Sequence, residues 1–116
     1  MYNYKEPEIE QCEFISIIPA SELGNGERIF VEIDELPIVI FNIGGELFAI
    51  GDVCSHDNGP LGEGDIEDNQ VICPRHGARF DIRTGKASTL PAVVDIPAYP
   101  VRVVNGQIEV GIPHSI

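Results

Sequence analysis

An all-β fold, an antiparallel sandwich or small barrel, is what this sequence predicts, and three observations predict it. Short apolar runs recur along the chain with turn signals between them. Val and Ile dominate the 43% of residues that are hydrophobic, and β-branched side chains pack well on a pleated surface. No segment carries a convincing helical period, apart from one possible turn at "PASEL" (19–23).

The runs, in order, are "CEFISII" (12–18), "RIFVEI" (28–33), "PIVIFNI" (37–43), "ELFAI" (46–50), "QVICP" (70–74), "ARFDI" (78–82), "PVRVV" (100–104) and "QIEVGI" (107–112). Several alternate apolar and polar residues, as strands with one wet face do. Gly44-Gly45 and Asn105-Gly106 supply the positive φ angles that two-residue hairpins need, and "RTGK" (83–86) reads as a further turn. At 116 residues the chain fits one domain, 1–116, with a single core. No internal repeat, linker or low-complexity tract divides it.

Composition narrows the function. The net charge of −12 argues against nucleic acid and against anionic membrane as partners. The charge is uneven: residues 1–70 hold sixteen Asp/Glu against Lys5 and Arg28, a net of −14, and residues 71–116 hold three acids against five bases, a net of +2. No apolar run reaches the roughly 18 residues of a membrane span. The opening "MYNYKEPEIE" lacks the basic-then-apolar order of a secretory signal, so a cytoplasmic protein is expected. Three cysteines cannot complete a disulfide framework, which leaves metal binding, catalysis or burial as their roles.

The segment "GDVCSHDNGPLGEGD" (51–65) breaks the strand pattern. Its four glycines and one proline fit a solvated loop, but a solvated loop gives no reason for Cys54 and His56. A second pair, Cys73 and His76, follows in "CPRHG" after sixteen residues between His56 and Cys73. Thiolate and imidazole are the strongest soft and borderline ligands a protein owns. Two metal sites compete for them. A zinc site has the right ligand set, but its usual order places both Cys before both His at wider spacing. Here Cys-x-His precedes Cys-x-x-His, an alternation that suits two adjacent metals, each loop giving a thiolate to one and an imidazole to the other.

With both spacings and the continuation "CPRHGARFDIRTGK", the chain resembles the Rieske ferredoxin family, from about Phe14 to Ile112. It is most like the small ferredoxins that feed electrons to bacterial ring-hydroxylating dioxygenases. The resemblance implies an antiparallel β-sandwich of the Rieske type, with a two-loop cluster-binding subdomain at about 51–92. It implies one 2Fe–2S cluster, with Cys54 and Cys73 on one iron and His56 and His76 on the other through Nδ1, their Nε2 edges facing solvent. The loop glycines would let backbone N–H groups approach the inorganic sulfides, Pro60 and Pro74 would stiffen the loops, and Leu90-Pro91-Ala92 matches a third, covering loop. High-potential relatives tie the two loops by a disulfide, and Gly59 and Arg75 stand in those places here. Those relatives also have a serine and a tyrosine hydroxyl as donors to the cluster sulfurs, where this chain has Ala78 and Phe80. A potential near the low end of the Rieske range, about −150 mV, follows.

The function so implied is one-electron transfer, not catalysis, from a flavin-dependent reductase to an acceptor such as a terminal oxygenase, by a protein acting as a monomer. An oxygenase would need a further iron site with two histidines, and only His114 is left. A non-redox zinc module or regulatory subunit is the alternative. Cys12, at the start of a strand, reads as a small buried apolar residue, and His114 as a tail residue.

Overall fold

In a computed structural model, the structure describes residues 12–54, 59–75, 77–88 and 94–113. Ten strands run through them: β1 (Cys12–Pro19), β2 (Arg28–Ile33), β3 (Leu36–Ile43), β4 (Glu46–Gly51), β5 (Ile66–Glu67), β6 (Gln70–Ile72), β7 (Arg79–Asp81), β8 (Ala98–Tyr99), β9 (Val101–Val104) and β10 (Gln107–Pro113). One 3-10 turn, Ala20–Glu22, follows β1 at the expected "PASEL". The strands make three antiparallel sheets, in the orders β1-β10-β9, β2-β3-β4-β8 and β5-β6-β7. All eight expected runs are strands. The two-residue strands β5 and β8 are additional, too short to show an alternation.

The central sheet explains why "PIVIFNI" is apolar without a break. β3 pairs with β2 on one side and β4 on the other, and Ile38, Val39, Ile40 and Phe41 are all fully buried. Side chains alternate across a strand, so these four supply two faces. Ile38 and Ile40 join Ala49, Tyr99, Ile108 and Val110 in a core against the β1-β10-β9 sheet. Val39 and Phe41 join Ile50, Leu61, Val71, Phe80 and Ile82 in a second core beneath the β5-β6-β7 sheet. β4 and β8 divide in the same way, Ala49 and Tyr99 to the first core, Ile50 and Ala98 to the second. The molecule is therefore a sandwich with a smaller sheet packed on the outer face of its central one.

Four hairpins turn on two residues that both have positive φ: Asp34-Glu35, Gly44-Gly45, Asp68-Asn69 and Asn105-Gly106. This is the turn whose twist matches that of the flanking strands. The two with glycine are those the sequence signals. Glu35 at φ 67° is an uncommon conformation for a non-glycine residue, which is why that turn leaves no composition cue. In "RTGK", Gly85 has φ 78° and its N–H donates to the Asp81 carbonyl at 2.7 Å. The neighbouring Asp81 carboxylate receives the Arg83 guanidinium at 3.0 Å. Burial pushes the Asp81 pKa up, but the Arg83 hydrogen bonds and charge together outweigh it and hold the pKa below the ordinary aspartate value.

Candidate metal centre

Two loops leave the second core and carry the cysteines. The first runs from the end of β4 to β5, the second joins β6 to β7. Both begin with the same device. The Cys54 N–H donates to the Gly59 carbonyl at 2.8 Å, and the Cys73 N–H donates to the Ala78 carbonyl at 2.7 Å. Each cysteine thus closes a loop on the residue five positions later. In sequence each loop encloses one of the expected histidines, although His56 and His76 lie outside the described residues. The Gly77 N–H, on a residue at φ 76°, returns to the Cys73 carbonyl at 3.0 Å and tightens the second loop further.

Cys54 and Cys73 are unbridged, 0% and 1% exposed, and belong to the same core. Ala78 and Phe80, also fully buried, pack in that core with them. The two loops share an open depression of about 390 Å³, lined by Glu63, Gly64 and Asp65 from the first and Cys73, Pro74 and Gly77 from the second. Two buried thiols in one core, each on a short backbone-closed loop, are a donor set suited to a thiolate-held metal group.

Three side chains to which the sequence alone assigns no such role hold the first loop in place. Asp52 sits at its neck, where one carboxylate oxygen accepts from the Leu61 N–H at 3.0 Å and the Gly62 N–H at 2.6 Å. Arg28 reaches from β2 to donate to the carbonyls of Gly62, at 2.5 Å, and Gly64, at 2.8 Å. Its guanidinium lies 5.4 Å from the ring centroid of Phe41, its cross-strand partner. Arg75 comes from the second loop and donates to the Pro60 carbonyl at 2.7 Å. Carbonyls 60, 62 and 64 are thus held by two arginines. The available signal was that Arg28 is one of two bases in the first seventy residues.

Crowding inside the protein gives three of the loop glycines a steric reason of their own. A Cβ on Gly64 would lie 1.8 Å from the Ile72 carbonyl oxygen, and one on Gly62 would lie 2.8 Å from Phe30 and 2.9 Å from Val39. A Cβ on Gly59 would lie 2.7 Å from the Arg75 guanidinium carbon. At Gly64 the obstacle is backbone and cannot yield, whereas at Gly59 a Cβ would have to push the arginine side chain aside. Arg79, after the second loop, pairs with Glu67, after the first, at 2.9 Å. Cys12 is partly buried on β1, opposite Pro113 and away from both loops. Leu90-Pro91-Ala92 and His114 lie outside the described residues.

The family model described as Rieske [2Fe-2S] domain matches residues 13–100. The 3-phenylpropionate/cinnamic acid dioxygenase ferredoxin subunit of Escherichia coli (strain K12) is 41% identical over 99 residues, 84% of this chain and 92% of that protein. Among solved structures, the ferredoxin of carbazole 1,9a-dioxygenase from Nocardioides aromaticivorans IC177 superposes with a TM-score of 0.78 at 29% identity, covering 84% of this chain and 95% of that one. A complex of reduced oxygenase and oxidized ferredoxin in carbazole 1,9a-dioxygenase gives a TM-score of 0.79 at 25% identity, covering 89% of this chain and 96% of that one. The non-redox zinc alternative finds no support in these likenesses. The chain belongs to the Rieske family and carries one 2Fe–2S cluster of that type.

Proposed function

We propose that the protein passes single electrons from a flavin-dependent reductase to the terminal oxygenase of a ring-hydroxylating dioxygenase system. In this reading Cys54 and Cys73 hold one iron and His56 and His76 the other. The whole of 1–116 acts as one unit, whose cluster-binding part is about 51–92. The observation that carries the reading is the matched pair of loops, each closed from its cysteine to the fifth residue on, with both thiols buried in one core. The cluster supplies one-electron transfer, and with both irons fully ligated it offers no open position for a substrate. The chain's part is to fix the thiols, shield them on the core side and leave the loop tips to a partner. Pro60, Pro74, Arg75 and Gly77 are exposed there.

Ferredoxin subunits of dioxygenases are the relatives, and one solved neighbour is an oxygenase complex, which supports the acceptor proposed here. Among the described residues no helix is long and apolar enough to cross a membrane. A monomer working in the cytoplasm is the form we propose. The test is spectroscopic and kinetic. The purified protein should be red-brown, contain two irons and two sulfides, and take up one electron. Once reduced, it should pass that electron to a purified ring-hydroxylating oxygenase. A colourless protein with bound zinc would overturn the reading, and a coloured protein that no such oxygenase reoxidises would overturn the acceptor.

A further inference from the structure

We infer that Arg75 and Gly59 form a polar clasp that joins the two cluster loops, making Arg75 a positioning residue for the cluster. The inference rests on the cluster assignment above. Arg75 lies in the second loop, two residues after Cys73, and its Nη1 donates to the Pro60 carbonyl of the first loop at 2.7 Å. The same guanidinium covers Gly59. The point where a Gly59 Cβ would stand is 2.7 Å from Cζ, 2.7 Å from Nη2 and 3.0 Å from Nε. Three guanidinium atoms at nearly equal distances mean that the planar group lies flat across the glycine backbone. Any side chain at 59 would occupy that space.

The clasp acts where the loop is closed. Gly59 gives the carbonyl that receives the Cys54 N–H, and Pro60 gives the next one, which receives Arg75. A rigid X-Pro unit therefore links the bond that seats Cys54 to the bond that ties the second loop down. Pulling Arg75 away frees the 59–60 corner and, through it, the Cys54 amide. A planar guanidinium can stack and donate at once, whereas an ammonium can only donate. Being non-covalent, the clasp is also indifferent to thiol reductants that would open a disulfide.

The test uses the holoprotein and the variants Arg75→Ala, Arg75→Lys, Gly59→Ala and the double Gly59→Ala/Arg75→Ala. The first readout is the rate at which visible absorption is lost to a strong iron chelator. Arg75→Ala should lose the cluster about three- to tenfold faster than wild type, the span of one intramolecular hydrogen bond. Gly59→Ala should match it, because its methyl displaces the guanidinium, and the double variant should be no faster than either single one. Arg75→Lys should fall between wild type and Arg75→Ala. The second readout needs no electron-transfer partner and no cluster: hydrogen exchange at the Cys54 amide, which should quicken by a similar factor in Arg75→Ala. Wild-type chelation and exchange rates in Arg75→Ala, or additive effects in the double variant, would overturn the clasp. Failure of the cluster assignment would show separately, as a wild-type protein without the absorption, and the exchange measurement would still decide the clasp.

Discussion

Gly64→Ala tests whether the contact between the first loop and β6 seats the cluster. The glycine has an ordinary φ, so alanine adds no backbone strain, only volume. That volume has nowhere to go. The new Cβ would lie 1.8 Å from the Ile72 oxygen, and ordinary van der Waals contact begins near 3.4 Å, so a gap of about 1.6 Å must open between loop and strand. The obstacle is backbone, not the end of a flexible side chain. A shift of that size breaks the Arg28 bond to the Gly64 carbonyl and the bond from the Ile72 N–H to the Asp65 carbonyl. The first involves a charge and is worth about 1.5–3 kcal/mol, the second about 0.5–1.5. Together they give a loss of about 2–4 kcal/mol, or about 10–15 °C in Tm for a domain of this size. Gly106→Ala is the control. Its φ is +79° and nothing lies within 4 Å, so only backbone strain is added, in a hairpin remote in sequence from both loops. Differential scanning calorimetry and iron content should be measured on both. Gly64→Ala should lose stability and iron together, and Gly106→Ala should keep its iron. A Gly64→Ala protein with full iron and a Tm within about 2 °C of wild type would refute the argument.

Replacing Cys54, His56, Cys73 or His76 by Ala should abolish the visible spectrum, while Cys12→Ser should leave it unchanged; loss of colour in Cys12→Ser would mean a different ligand set. Ala78→Ser and Phe80→Tyr, both fully buried beside the cysteines, should each raise the reduction potential, by about 60 mV if the added hydroxyl shifts the redox equilibrium tenfold. Protein-film voltammetry reads this directly, and an unchanged potential would show that hydroxyl donors at these two positions do not set it. Asp81, with its pKa held below the unfolded value, adds stability that is present above the ordinary aspartate pKa and lost as pH falls through the depressed one. The contribution is at most about 1 kcal/mol, because Arg83 is largely exposed. Asp81→Asn should flatten the acid limb of the stability curve, and an unchanged limb would assign it to other carboxylates.

The strands were legible because their faces differ in wetting. "RIFVEI" alternates, and Ile29, Val31 and Ile33 do pack on the sandwich core while Phe30 and Glu32 are exposed. The cysteines were legible because two Cys–His pairs at close spacing have no structural reason to recur. What holds the loops was not. Arg28 stands thirty-four residues from the Gly62 carbonyl it grips, and nothing local marks an arginine that will bond backbone oxygens across a sheet face. Asp52 and Arg75 suffer the same disguise, since a charged residue in a polar loop reads as solvated. The glycines were legible as a loop by their number, but the neighbours that crowd Gly59, Gly62 and Gly64 are supplied only by the folded chain.

The two-sided central sheet also bears on how the site keeps its shape. A loop that binds through backbone carbonyls needs an anchor that does not move, and Arg28 rises from β2, which pairs along all six residues with β3. β3 is buried on both faces, so it is fixed by two cores at once. Val39 and Phe41 pack toward the loops, and Ile38 and Ile40 pack into the sandwich beneath. Displacing the first loop therefore means either breaking the polar contacts of Arg28, Asp52 and Arg75 or disturbing a strand that the sandwich holds independently. An electron carrier benefits from a rigid site, because the less the site must rearrange on changing redox state, the lower the barrier to transfer. The consequence for mutation is a division of effects. Changes at Ile40 or Val110 should lower stability through the sandwich core alone, whereas changes at Val39, Phe41 or Arg28 should lower stability and cluster retention together.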